Sequence, residues 1–115
     1  MKRGGDIMNN SEMEALIMQL IMNSGNAKSL AMEAIKFARS NQLGEAEAKI
    51  SEASDAINLA HTIQTQLLTL EASGQDFKFS LLLTHSQDHM MNSITTIDLA
   101  KEVVYLWKSL KGETN

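Results

Sequence analysis

Apolar residues along the chain recur at steps of three and four, the spacing of one face of an α-helix. In the first third they fall at Met13, Leu16, Ile17, Leu20 and Ile21, and then at Ala27, Leu30, Ala31, Ala34, Ile35 and Ala38. Ser11 can cap this helix, with Glu14 three residues on at capping-box spacing. Residues 1–11, which include two glycines and two asparagines, read as an N-terminal tail, with Met8 as an alternative start. Gly25 interrupts the pattern at a cost of about 1 kcal/mol relative to alanine, unless it serves close packing or a kink. "SNQLG" (40–44) reads as the turn that ends the helix.

The second segment has the most regular pattern: Leu43, Ala46, Ile50, Ala53, Ile57, Ala60, Gln64, Leu67 and Glu71 alternate steps of three and four. That is a heptad-like seam for packing one helix on another, with two polar members at its far end. A second stripe, Ala56, Leu59, Ile63, Leu67 and Leu70, widens the apolar face, so this helix must touch more than one neighbour. "ASGQD" (72–76) supplies a glycine stop. A third helix is expected from near Ser80 to about Leu110, with Leu81, Leu82, Leu83, Met90, Met91, Ile94, Ile97, Leu99, Val103, Val104, Leu106, Trp107 and Leu110 spread around most of its circumference. Residues 12–111 thus form one helical domain, and 112–115 a C-terminal tail.

Composition sharpens the fold. The 115 residues include no proline, and good helix formers dominate. Three helices joined by short connections form an all-α, antiparallel up-down-up three-helix bundle. A lone bundle cannot hide a third helix that is apolar on most sides, which implies self-association through that helix. The chain has no cysteine, which excludes disulfides and thiolate metal sites. Its net charge of −4, with scattered basic residues and five aromatics, argues against a nucleic-acid partner. No apolar run approaches the ~20 residues of a membrane span, and no signal-peptide core follows Met1. The simplest expectation is a cytoplasmic protein with no direct membrane insertion.

Candidate chemistry gathers in the third helix. His85, Asp88, Asn92 and Thr95, at i, i+3, i+7 and i+10, share one face, and His85 and His89 are i, i+4 neighbours. Asp88 most needs a reason, because a buried carboxylate must find a cation, a donor or a proton. Residue types leave three readings open. "HSQDH" is close to the inverted zinc-peptidase motif H-x-x-E-H, but with a shorter acid and no cleft to house it. The polar groups could instead be satisfied residues of a core, which is the favoured reading for His61, taken as a hydrogen-bonded residue. Third, neutral imidazole is a nucleophile near pH 7, and His85 could carry a phosphoryl group with Ser86, Gln87, Gln64 and Gln66 as available donors.

Four stretches, "NSGNAKSLAMEAIKFA", "AHTIQTQLL", "EASG" and "SLLLTHSQDHMM", fall in the order and at the spacing of one family. Over roughly residues 12–110 the sequence resembles the lactose/cellobiose-type IIA component of the bacterial phosphotransferase system. The most specific part is H-x-Q-D-H-[LM]-M with an upstream A-H-x-x-Q-T; Ser86 stands where the family often has alanine or glycine. The resemblance implies a homotrimer of three-helix bundles. It implies that His85 takes a phosphoryl group from the phosphohistidine of HPr and passes it to a cysteine of the IIB component during sugar uptake. It places Asp88 near the threefold axis, where three copies would meet around a metal ion, Mg2+. His89, His61, Gln64 and Gln87 are expected as supporting residues. Lactose, cellobiose, chitobiose and other β-glucosides all remain open as the sugar. The alternative class is a non-enzymatic helical oligomerisation or adaptor module.

Overall fold

The computed structural model describes residues 8–75 and 81–112. The expected start of the third helix at Ser80, Asp76 of the second turn, and the outer parts of both tails lie outside them. Three α-helices of 30 residues each, about 45 Å long at 1.5 Å per residue, run as α1 (Asn10–Arg39), α2 (Leu43–Ala72) and α3 (Leu81–Leu110). No strand occurs among the described residues, and no helix there is long and apolar enough to cross a membrane.

Helix ends follow local chemistry, and one differs from expectation. The cap of α1 is Asn9, not Ser11: the Asn9 side chain accepts from the Glu12 N–H at 2.8 Å, and the Glu12 carboxylate accepts from the Asn9 N–H at 3.0 Å. Asn9-x-x-Glu12 has the same box spacing as Ser11-x-x-Glu14, and asparagine caps at least as well as serine. The earlier box wins because it adds two helical residues without losing a cap. At the other end Asn41 takes a left-handed φ of 64°, with Gln42 N–H donating to Phe37 C=O at 2.9 Å and Asn41 N–H to Ala38 C=O at 3.0 Å. This is a Schellman turn, so the α1–α2 connection is three residues and Leu43 and Gly44 are already helical. Gly74, with φ 100°, closes α2 the same way, through Gln75 N–H to Leu70 C=O and Gly74 N–H to Glu71 C=O.

The core keeps a heptad rhythm on all three helices. It takes Ile17, Leu20, Ser24, Ala27, Ala31, Ala34 and Ala38 from α1, and Ser86, Met90, Ser93, Ile97, Ala100 and Val104 from α3. From α2 come Leu43, Ala46, Ala53, Ala56, Ile57, Ala60, Ile63 and Leu67. So many alanines and serines let helix axes approach to the short end of the usual 8–10 Å range. The closely packed helix is α1, which lies along both others, whereas α2 and α3 touch far less. Between those two a groove stays open, lined at one end by Gln64, Leu67, Leu68, Leu83 and Gln87. Exposed ion pairs, Lys49–Glu33 from α2 to α1 and Lys108–Glu47 from α3 to α2, bridge the helices; pairs of this kind contribute about 1 kcal/mol or less.

Of the expected α2 seam, Ile50 and Gln64 are half-buried and Glu71 is exposed, so the seam frays before the helix ends. Large apolar side chains face outward on α3, namely Leu81, Met91, Leu99, Leu106 and Leu110, as the circumferential pattern required. Ala31 is fully buried in the α1 stripe. Ala31→Leu is therefore expected to push the helices apart and lower the unfolding free energy by about 1–3 kcal/mol in urea titration. An unchanged midpoint would show that the bundle has slack the fold does not suggest.

Candidate functional site

Residue order on α3 sorts its polar groups by direction. Gln87 reaches α2, donating nothing to the histidines: its Oε1 accepts from Gln64 Nε2 at 2.6 Å. Ser86 points into the core, its hydroxyl donating to Leu83 C=O at 2.6 Å. Ser93 points to α1, donating to Ser24 C=O at 2.6 Å and lying 2.7 Å from His89 C=O. His85 is exposed, and His89 is half-buried one turn further on. Since α2 holds the Gln87 flank and α1 the Ser93 flank, both histidines emerge on the rim between α1 and α3.

His85 and His89 meet ring to ring. Their Nε2 atoms are 2.9 Å apart, with centroids 4.3 Å apart and planes at 86°. A hydrogen bond between two neutral imidazoles needs one Nε2–H and one Nε2 lone pair, so the contact couples the two tautomers. The 2.9 Å spacing is that of a hydrogen bond. Two imidazole nitrogens on one tetrahedral zinc, each about 2.0–2.1 Å away, would sit about 3.3 Å apart. Among the described residues no three histidine, aspartate or glutamate side chains gather in one place. Nothing in the donor set therefore favours the zinc-peptidase reading.

Several expected members of the site take other positions. Asp88 is exposed and has no ion-pair or hydrogen-bond partner among the described residues; it lies on the outward stripe of α3 with Leu81, Thr95, Leu99 and Leu106. A single chain therefore does not bury this carboxylate. His61, expected in the core with a hydrogen bond, is also exposed and its ring makes none among the described residues. It lines the α2–α3 groove with Asn58, Ile94, Asp98 and Lys101, a turn or more away from the level of His85. The stripe Ala53, Ala56, Ala60 and Ile63 occupies the core direction, and His61 is rotated out of it. Gln64 and Gln87 bond to each other across α2 and α3, so in this chain only His89 of the expected supporting residues touches His85.

Sequence reasoning missed Ser24 and Ser93, both fully buried. They stand at core positions of the heptad, between Leu20 and Ala27 and between Met90 and Ile97, where a hydrophobic residue is usual; that departure was the available signal. The Ser24 hydroxyl is the one buried side-chain polar atom without a partner among the described residues. Ser93 fastens the histidine-bearing turn of α3 to α1.

Comparison with known proteins agrees with this architecture. The family model described as the lactose/cellobiose-specific IIA subunit of the PTS system matches residues 15–108. The lichenan-specific phosphotransferase enzyme IIA component of Bacillus subtilis strain 168 is 42% identical over 101 residues, covering 88% of this chain and 92% of its own. A crystal structure of the PTS cellobiose-specific enzyme IIA from Bacillus anthracis superposes with a TM-score of 0.84 at 44% identity, covering 94% of this chain and 97% of that one. The IIA(chitobiose) of Escherichia coli, solved in solution as a complex with HPr, superposes with a TM-score of 0.72 at 37% identity, covering 85% and 95%.

The imidazole contact is open to direct measurement. Nitrogen-15 correlation spectra at neutral pH are expected to show His85 and His89 in complementary tautomers, one protonated on Nε2 and the other on Nδ1. His89→Ala should return His85 to an ordinary tautomer mixture. Spectra in which the variant leaves His85 unchanged would mean that the two rings do not share a proton in solution.

Proposed function

The chain belongs to the lactose/cellobiose-specific IIA family of the phosphotransferase system, and from that premise we propose that it is a phosphocarrier whose carrier group is the imidazole of His85. The observation that carries this reading is the placement of His85: exposed, on the rim between two helices, with a single polar partner among the described residues, His89 at 2.9 Å. The phosphoryl group would come from the phosphohistidine of HPr, the partner seen with the Escherichia coli relative. It would leave to a cysteine of the cognate IIB component, serving uptake of a β-linked disaccharide of the lactose, cellobiose or chitobiose class. The relatives compared above bear different sugar names at similar identity, so no single sugar is singled out. The compartment of these exchanges is the cytoplasm.

In the transfer a lone pair on a His85 nitrogen forms the new N–P bond while the donor's N–P bond breaks and its electrons return to the donor nitrogen. Such a step needs little covalent work from the protein beyond in-line positioning and charge stabilisation. His89 is placed to do part of that. When its Nε2 carries the proton it donates to His85, and after transfer the same N–H can turn to a phosphoryl oxygen.

The same reading makes the working unit a homotrimer assembled on the outward stripe of α3. Asp88 sits on that stripe, so three copies would bring three carboxylates to the axis. Like charges so placed need a cation or protons, and an all-oxygen donor set suits a hard dication such as Mg2+. The ion would neutralise the three carboxylates and take no part in the transfer. Its donors would have to come from assembly, since no three such side chains gather within one chain's described residues.

Incubation with phosphoenolpyruvate, enzyme I and HPr is expected to place acid-labile phosphate on the protein, and His85→Ala should abolish the label while the oligomer persists. A wild-type chain that takes no label would sink the carrier reading and leave the adaptor alternative. Asp88→Leu should lose bound Mg2+ yet remain trimeric in sedimentation, because three carboxylates are replaced by apolar side chains. Collapse of that variant to unfolded monomer would contradict the account of Asp88.

A further inference from the structure

Packing accounts for the size of Ser93 but not for its hydroxyl. The residue stands at a core position of α3 and is fully buried, where α1 lies too close for a bulky side chain. Alanine meets the same need seven residues further on in each helix, at Ala100 of α3 and, beyond Ser24, at Ala31 of α1, both fully buried. A buried hydroxyl stabilises less than a methyl group unless its bonds are good ones. The reason for serine at 93 must then lie in what the hydroxyl bonds to.

That hydroxyl has two acceptors and one proton. Its Oγ lies 2.6 Å from Ser24 C=O on α1 and 2.7 Å from His89 C=O, one turn back on α3. Both separations are those of a good O–H···O bond, so the single proton is shared between two helices. Ser86, Thr95 and Thr96 bond to carbonyls of α3 itself, whereas Ser93 also reaches across to α1. A serine bonded to the carbonyl four residues back competes with the backbone N–H for that oxygen, and such bonds bend helices. Here the carbonyl belongs to His89, so any bend falls on the turn that bears the histidines. His85, His89 and Ser93 follow one another at steps of four, a row that winds from exposed through half-buried to fully buried. Contacts run unbroken along it: Ser24 C=O to the Ser93 hydroxyl, the hydroxyl to His89 C=O, and the His89 ring to the His85 ring at 2.9 Å. The buried end of the row is held by α1, and the open end is His85.

We propose that Ser93 is a positioning residue for the carrier histidine: by joining His89 C=O to α1, its hydroxyl sets the orientation in which the His89 ring meets His85. Its effect on transfer rests on the carrier reading; its effect on the two rings does not. A bond between imidazoles needs the N–H of one ring in line with the lone pair of the other, and it weakens steeply as they tilt apart. Without the hydroxyl, α3 keeps its helix but the histidine-bearing turn loses its tie to α1. The rings then lose the alignment that couples their tautomers, and His85 meets its donor in a mixture of states in place of one.

The test pairs spectroscopy with transfer. In wild type the Ser93 hydroxyl proton should exchange slowly enough with water to be seen in proton spectra; free exchange would overturn the proposal before any variant is made. Ser93→Ala preserves size and helix propensity and removes only the hydroxyl. It should shift His85 and His89 from complementary tautomers to an ordinary mixture in nitrogen-15 spectra. Its single-turnover rate at saturating phospho-HPr should fall about tenfold, the loss expected of a misplaced reacting group. The HPr concentration giving half-saturation should stay within about twofold, because the surface that meets HPr is unaltered. Ser86→Ala is the control: this serine is equally buried beside His85, but its hydroxyl donates to Leu83 C=O within α3. It should leave spectra and rate unchanged. Ser93→Ala with wild-type tautomers, or with the wild-type rate, would overturn the proposal while the carrier reading stands. An equal loss in Ser86→Ala would also overturn it, by assigning the effect to buried hydroxyls of α3 at large. If wild type takes no label, the carrier reading fails, and the nitrogen-15 comparison alone decides whether Ser93 sets the imidazole pair.

Discussion

The close approach of α1 to both of its neighbours is the constraint on which the rest of this molecule depends. Its inward stripe is almost all alanine and serine from residue 24 onward, and small side chains are what allow three long helices to share one narrow core. A core built this way excludes much of the bulky apolar material. Leucines and methionines that would fill a wider bundle are displaced to the outside, at Met18, Met22, Leu59, Leu68, Met91, Leu99 and Leu106. Outward apolar faces are thus the consequence of a tight interior, and they require partners. The assembly surface proposed above follows from a choice made inside the fold.

Tight packing also fixes the candidate site. With α1 held against α3, the turn carrying His85 and His89 has one permitted register, and the Ser93 hydroxyl pins it through Ser24 C=O. Burying a hydroxyl at a core position, with a second left unpartnered at Ser24, costs free energy that an apolar pair would not. The serines keep the helices close where a leucine would force them apart, so size outweighs polarity at this junction. In the opposite groove, between α2 and α3, the polar pair Gln64–Gln87 spans a gap that no side chain of the described residues fills.

How much was legible in the sequence depends on what carried each signal. Helix number, length and core stripes were legible because periodicity is a local property repeated many times along each segment. The first cap was misplaced by two residues because Asn9-x-x-Glu12 and Ser11-x-x-Glu14 satisfy the same rule, and only the completed helix chooses between them. The apolar neighbours of His61 in sequence point to burial, yet the residue is exposed. Burial of a helical residue depends on its angle to the core, and one residue of rotation moves it by about a quarter turn. The direct contact of His85 with His89 was implied by i, i+4 spacing, whereas the separation of Gln64 and Gln87 from that pair needed the position of α2.

A carrier has to bind its phosphoryl group well enough to accept it and weakly enough to release it, and the sparse polar setting of His85 suits that demand on the proposed reading. Each additional fixed donor would deepen the phospho-state more than the transition state for its departure, and so slow the second transfer. In this chain Ser86 is turned into the core and Gln87 is committed to Gln64, which removes two donors that sequence proximity alone would have assigned to the phosphate. What remains among the described residues is one imidazole N–H, itself held by a bond that must be exchanged during transfer. The remaining stabilisation must then be supplied by the partner protein while it is docked, and it leaves with that partner. On this logic the bareness of the rim answers one requirement: the site is completed only for as long as the transfer lasts.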